Sequence, residues 1–282
     1  MPRFCSRKRR RGYQLIHVTE TKRGRHWTSR RKLTNDLEAQ WAALNRLCVD
    51  RGSQIRLARL IDRLNSHHHG VQESALAELE LATLLIRVGM SVRFLPESQA
   101  RTADLECVLQ DERLFVEVTA MVGSAEPARA ADHLPVELKD DEEEQEGGPG
   151  AVLTSRILAR IMQKAKQLSD YCAPVVLAVS VPRVQQLEQR VRWRGAVELD
   201  LKQLAGLVSV ALPRVRHLST VLLSLWDVEP LPARSGVRLK NVYLVERSRQ
   251  QAAYPRVRLL IANPCAVFPL SEEQQEALKQ LL

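Results

Sequence analysis

The sequence predicts an α/β fold, a mixed β-sheet core flanked by helices and preceded by an N-terminal helical segment. Three observations carry that reading. Apolar residues recur at three- and four-residue spacing over 35–64, 73–88 and 153–171, the period of an amphipathic helix. Short runs at 91–95, 103–109, 113–121 and 174–181, the third rich in Val and Phe, read as strands. With 282 residues, of which 45% are hydrophobic and 27% charged, the chain can bury a sizeable core.

The first segment, 1–34, reads as a basic and flexible arm. Twelve Lys and Arg against the single Glu20 give residues 1–32 a net +11, so with +9 for the whole chain the other 250 residues carry −2. Arg7, Lys8, Arg9, Arg10, Arg11, Arg30, Arg31 and Lys32 are the residues expected to neutralise nucleic-acid phosphates. The basic run at Arg7–Arg11 is followed by no apolar stretch, so it is not read as an export signal. No run approaches the roughly 20 apolar residues that span a bilayer, so no membrane partner is expected. Five cysteines (Cys5, Cys48, Cys107, Cys172 and Cys265) are scattered without a CxxC pair. That pattern suits a reducing cytoplasm and argues against a disulfide framework or a zinc site. Aromatic residues make up 4%, too few for an extensive base-stacking platform.

From Asn35 the helical pattern runs through Leu37, Trp41, Leu44 and Cys48, then through a second piece, Ile55, Leu57, Leu60 and Leu64. Ser66-His67-His68-His69-Gly70 reads as a polar turn, since adjacent histidines seldom converge on one ion. A helix over 73–88 stops at Gly89 and leads into the strands. Residues 123–150 hold Pro127, Pro135, the acidic run Asp140–Glu144 and Gly147-Gly148-Pro149-Gly150, and read as a flexible acidic insertion. A helix over 153–171 and the strand 174–181 follow. Beyond a polar, Arg-rich stretch at 183–205 come strands near 219–226, 239–245 and 256–262. The last helix begins at Ser271, with Ser271 and Gln274 as a capping box. The chain thus divides into the arm, a helical segment at 35–70 and one domain over 71–282.

Four charged residues break the apolar patterns. A turn centred on Gln110-Asp111 sets Asp104 directly opposite Glu117, with Cβ atoms roughly 4.5–5.5 Å apart. Like charges so placed are destabilising unless a cation lies between them, and hard ions such as Mg²⁺ favour that donor set. On 73–88, Glu78 falls on the apolar face with Leu81, Ala82 and Leu85, while Glu80 projects to the opposite, solvent side. On 153–171, Lys164 falls in the stripe of Ile157, Ile161 and Leu168, with Tyr171 close by. An inward charge is costly unless it is paired or coordinates something, and converging charges of both signs mark a site.

The order of these pieces resembles the PD-(D/E)xK nuclease superfamily. A helix with Glu78 is followed by a strand, Thr102-Ala103-Asp104, twelve residues, Glu117-Val118-Thr119, a helix and a strand. Gln167-Leu168-Ser169-Asp170-Tyr171 matches the QxxxY signature of its RecB-like branches. The resemblance covers about residues 73–181 and implies a restriction-endonuclease-like fold. It further implies Mg²⁺ or Mn²⁺ held by Asp104, Glu117 and the Val118 carbonyl, with Glu78 orienting or completing the shell. Thr119 stands where that family has its lysine, so Lys164 is the expected substitute, with Gln167 near the same face. The implied function is metal-dependent hydrolysis of nucleic acid, DNA rather than RNA, by a chain that acts alone, as a homodimer or with a partner subunit. The alternative is an inactive nuclease fold serving as a nucleic-acid-binding or interaction subunit. Phosphate-loop, dinucleotide-binding, HExxH and GxSxG motifs are all absent from the sequence.

Overall fold

The computed structural model describes residues 27–96, 102–121, 148–181, 196–232, 239–248, 251 and 254–282. Its first elements are helices α1 (Trp27–Leu47) and α2 (Arg51–Leu64). They are separated by a cap: Asp50 is extended and its carboxylate accepts the Ser53 N–H, satisfying an orphan donor of α2. Helix α1 corrects the expected boundary of the arm, because 27–34 is already helical and carries Arg30, Arg31 and Lys32. Basic residues are good helix formers, so the lack of an apolar period there was no bar to a helix. Arg7, Lys8, Arg9, Arg10 and Arg11 lie outside the described residues.

Helix α3 (His69–Arg87) starts four residues earlier than its apolar period suggests, so His69 and Gly70 belong to its first turn. It ends where Gly89, at φ 89°, takes the left-handed conformation that glycine adopts without steric cost. An antiparallel ladder follows: β1 (Ser91–Phe94), β2 (Leu105–Leu109) and β3 (Glu112–Ala120). Gln110 and Asp111, with φ 49° and 67°, are the two left-handed residues that a tight hairpin turn needs. The turn sets Leu109 against Glu112 and Leu105 against Val116. The register read from the sequence therefore holds along the strands as far as Leu105 and Val116; Asp104 stands just before β2, and its N–H donates to the Val116 carbonyl, one step off that register.

Helix α4 (Pro149–Gln167) is displaced towards the N-terminus from the expected 153–171. Pro149 opens it, where a missing N–H costs nothing, and Leu168 caps its other end. Pro149 and Gly150 thus belong to this helix, with Gly148 as its N-cap, and not to the expected acidic insertion; 122–147 lie outside the described residues. Strand β4 (Val175–Val181) follows, then β5 (Val197–Leu199) and α5 (Leu201–Ala211), both within or just beyond the stretch read as polar. The chain continues through β6 (Thr220–Leu225), β7 (Val228–Pro230), β8 (Val242–Glu246) and β9 (Val257–Ala262) to α6 (Glu272–Lys279). Helix α6 carries the expected Ser271/Gln274 capping box.

The main sheet is mixed, in the order β1-β2-β3-β4-β6-β9-β8, with β3, β4 and β6 parallel and the outer pairs antiparallel. Helices cover both faces. Leu57, Leu60, Leu79 and Leu85 of α2 and α3 pack on one face, against Leu105, Leu114, Val116 and Val118. Ile157, Ile161, Leu204 and Val208 of α4 and α5 pack on the other, against Leu177, Val179, Val221 and Leu223. Because β4 and β6 are buried on both sides, they read as continuous apolar runs and not as alternations. Strand β3 is the exception, and its one buried acid points at the α4 layer.

Candidate active site

Alternation along β3 sends Leu114, Val116 and Val118 into the α3 layer and Phe115 into the α4 layer, so Glu117 shares the side of Phe115. Glu117 is 6% exposed. Helix α4 lays Ile157, Ile161 and Ala165 on that side, and Lys164 reaches down from the same stripe. Its Nζ donates to Glu117 Oε1 at 2.6 Å. The inward lysine expected from the sequence therefore meets the acid of the hairpin.

Asp104 stands at the entry to β2. Its N–H donates to the Val116 carbonyl at 3.1 Å and its carbonyl accepts from Leu95 N–H at 2.8 Å, so the ladder holds the backbone in place. The side chain is held from two directions: Oδ2 accepts the Val118 N–H at 2.9 Å, and Oδ1 accepts from Arg56 Nη2 at 2.9 Å. Just before it, the Ala103 N–H donates to the Tyr171 hydroxyl, whose ring packs on Phe115 with centroids 4.5 Å apart. Tyr171 thus helps to fix the approach to Asp104 from the turn after α4.

Glu78 points inward as expected, but towards arginines. Its two oxygens accept from Arg56 Nε at 3.0 Å, Arg56 Nη2 at 3.2 Å and Arg63 Nη1 at 3.0 Å. Arg63 also donates to Ser74 Oγ at 3.0 Å. Glu80 is corrected: it is half-buried, not solvent-facing, and pairs at 3.4 Å with Arg258 of β9, a strand that only the folded chain brings beside α3. Gln167 is the last residue of α4, half-buried, and among the described residues no hydrogen bond ties its side chain to the cluster. Val118 meets the site through its N–H. The side chains of Arg30, Arg31 and Lys32 lie outside the described part of the structure.

Arg56 was missed, although a signal for it existed. With Ser53, Leu57 and Leu60 it occupies the buried face of α2, the same inward-charge pattern that marks Glu78 and Lys164. Recognising it requires treating 35–70 as part of the core, and Leu57 and Leu60 are fully buried against α3 and the sheet.

Burial, then the charge of Asp104 and a hydrogen bond shared with it, push the Glu117 carboxyl from 4.5 up to about 7, against the opposing pull of Lys164. Burial likewise raises Glu78, with Asp104 adding to it while Arg56 and Arg63 pull it back. The unfolded chain therefore releases the Glu117 proton before the folded one does. The stabilisation this gives is complete below 4.5 and is lost as pH rises through about 7. Urea unfolding without divalent ions is expected to show wild type losing stability across that window. Glu117→Gln should lose distinctly less, and equal losses would contradict the assignment.

Among the described residues no set of three or more His, Cys, Asp or Glu side chains converges as a metal cage. The two facing carboxylates still suit Mg²⁺, which usually binds through one or two carboxylates and keeps several waters. The charge of Asp104 reaches Glu117 and raises it, a repulsion that a cation between the two would relieve. Compared with protein-family models, curated proteins and solved structures, the chain finds no match.

Proposed function

We propose that the chain is a Mg²⁺- or Mn²⁺-dependent nuclease of PD-(D/E)xK type, with a restriction-endonuclease-like core, that hydrolyses DNA phosphodiester bonds. The observation that carries this reading is Lys164 Nζ at 2.6 Å from Glu117 Oε1, with Asp104 at the entry to the facing strand, its Oδ2 on the Val118 N–H. Thr119 is buried and carries no charge, so positive charge at the motif comes from α4 instead. Asp104 and Glu117, with the Val118 carbonyl, would hold the ion. When bound, the ion acidifies a water and offsets charge on the phosphate. Lys164 brings an ammonium to the same carboxylate, where it orients Glu117 and attracts an incoming phosphate oxygen. The Val118 N–H and Arg56 keep Asp104 in one rotamer, so no reorganisation is needed when substrate arrives. The basic residues of 1–32 would supply sequence-independent contacts to the DNA backbone.

One observation favours a second reading, a nuclease fold that binds nucleic acid without cutting it. Arg56, Arg63 and Lys164 already match the charges of Glu78, Asp104 and Glu117. Supercoiled plasmid incubated with Mg²⁺ or Mn²⁺ separates the two. The nuclease reading expects cutting by wild type and a loss of about 10²-fold or more in Lys164→Ala, the scale of one lost electrostatic contact at a reacting group. A wild type that cuts nothing but retards DNA in a salt-dependent way supports the second reading. One that does neither supports an interaction subunit.

A further inference from the structure

We infer that Arg56 is a positioning residue for Asp104, and that Glu78 is the anchor of Arg56 and not itself a metal ligand. The inference rests on the reading of Asp104 and Glu117 as an ion site. Sequence alone offers Glu78 as a third acid for that site. In the folded chain its carboxylate is instead turned onto two guanidinium groups: Oε1 accepts from Arg56 Nε, and Oε2 accepts from Arg56 Nη2 and Arg63 Nη1. Glu78 is 2% exposed and Arg56 4%, so neither is open to solvent.

What connects them to the chemistry is one nitrogen. Arg56 Nη2 donates to Glu78 Oε2 at 3.2 Å and to Asp104 Oδ1 at 2.9 Å, so one rigid guanidinium spans both acids. The opposite oxygen of Asp104 is held by the Val118 N–H. Each oxygen keeps a lone pair for an ion, while the carboxylate as a whole is clamped in plane and direction. Helix α2 therefore acts on the site through a relay, Glu78 to Arg56 to Asp104. Lysine cannot replace arginine here, because a single ammonium has no planar fork to bridge two carboxylates. Lysine does keep a positive charge beside Glu78, so the fold is retained.

The test is calorimetric titration of the full chain with Mn²⁺, without nucleic acid, on wild type, Arg56→Lys, Glu78→Gln and the double variant. Loss of an outer partner of a metal ligand weakens binding about 10–100-fold, and that is the shift expected for Arg56→Lys. Glu78→Gln is expected to weaken binding in the same range, and the double variant no further, since both changes break one relay. Folded Arg56→Lys with wild-type Mn²⁺ affinity overturns the inference. Multiplicative losses in the double variant overturn it too, because they would make Glu78 an independent contributor. The readout is binding, so a chain that binds Mn²⁺ yet leaves DNA intact overturns the nuclease reading alone. A wild type without Mn²⁺ affinity overturns both.

Discussion

Replacing Asp104 with Asn is expected to abolish metal-dependent cleavage of DNA, with a fall of at least about 10²–10³-fold, while the chain stays folded. Asp104 serves the site with both oxygens: Oδ2 on the Val118 N–H and Oδ1 on Arg56 Nη2. Asparagine has nearly the same shape but offers one oxygen and one NH₂, so one of these donors must face another donor. The lost acceptor costs about 1–3 kcal/mol of stability. That is a fraction of the roughly 5–15 kcal/mol by which a domain is stable. The change also removes one of the two negative charges that would attract a divalent ion. Plasmid cleavage measured beside a thermal melt checks the two effects separately. Asp104→Asn cutting at the wild-type rate would falsify the assignment of Asp104 to the reacting centre.

The second large effect falls on stability. Arg56→Ala is expected to destabilise the chain by about 3–5 kcal/mol, because it strips partners from acids that are already desolvated. Glu78, buried between α2 and α3, would lose Arg56 and keep Arg63, and Asp104 would lose Arg56 and keep the Val118 N–H. Burial already opposes ionisation of Glu78. The variant is therefore expected to hold Glu78 protonated to higher pH, at the cost of the helix pair. Denaturant unfolding of wild type and variant, with equal slopes, measures the difference. A loss under about 1 kcal/mol would show that the ion pairs contribute no more than exposed ones do.

Local rules make much of the site legible in the residues alone. A two-residue turn at Gln110-Asp111 has few options, and it then leaves one register for the two strands, which brings Asp104 and Glu117 to the same end of the hairpin. Helical period alone turns Glu78 and Lys164 inward, and both are found on the buried side of their helices. Element ends are less legible. Helix α4 starts at Pro149 because a proline can open a helix whatever the composition before it. Helix α1 extends through basic residues because propensity, and not apolar period, decides its exposed turns.

By itself, then, the sequence determined which residues face inward and the order in which they are strung along an α/β sheet. Both follow from backbone periods that a few neighbouring residues enforce. The tertiary structure alone decided what each inward charge meets: Lys164 on Glu117, 47 positions apart, Arg56 on Asp104, 48 apart, and Arg258 on Glu80, 178 apart. Periodicity states that a charge is buried, but its partner is chosen by how helices pack on the sheet. That packing is set by the whole core and not by the residues adjoining the charge. Hence Glu78, legible as a buried acid, became the anchor of an arginine only once α2 lay across α3.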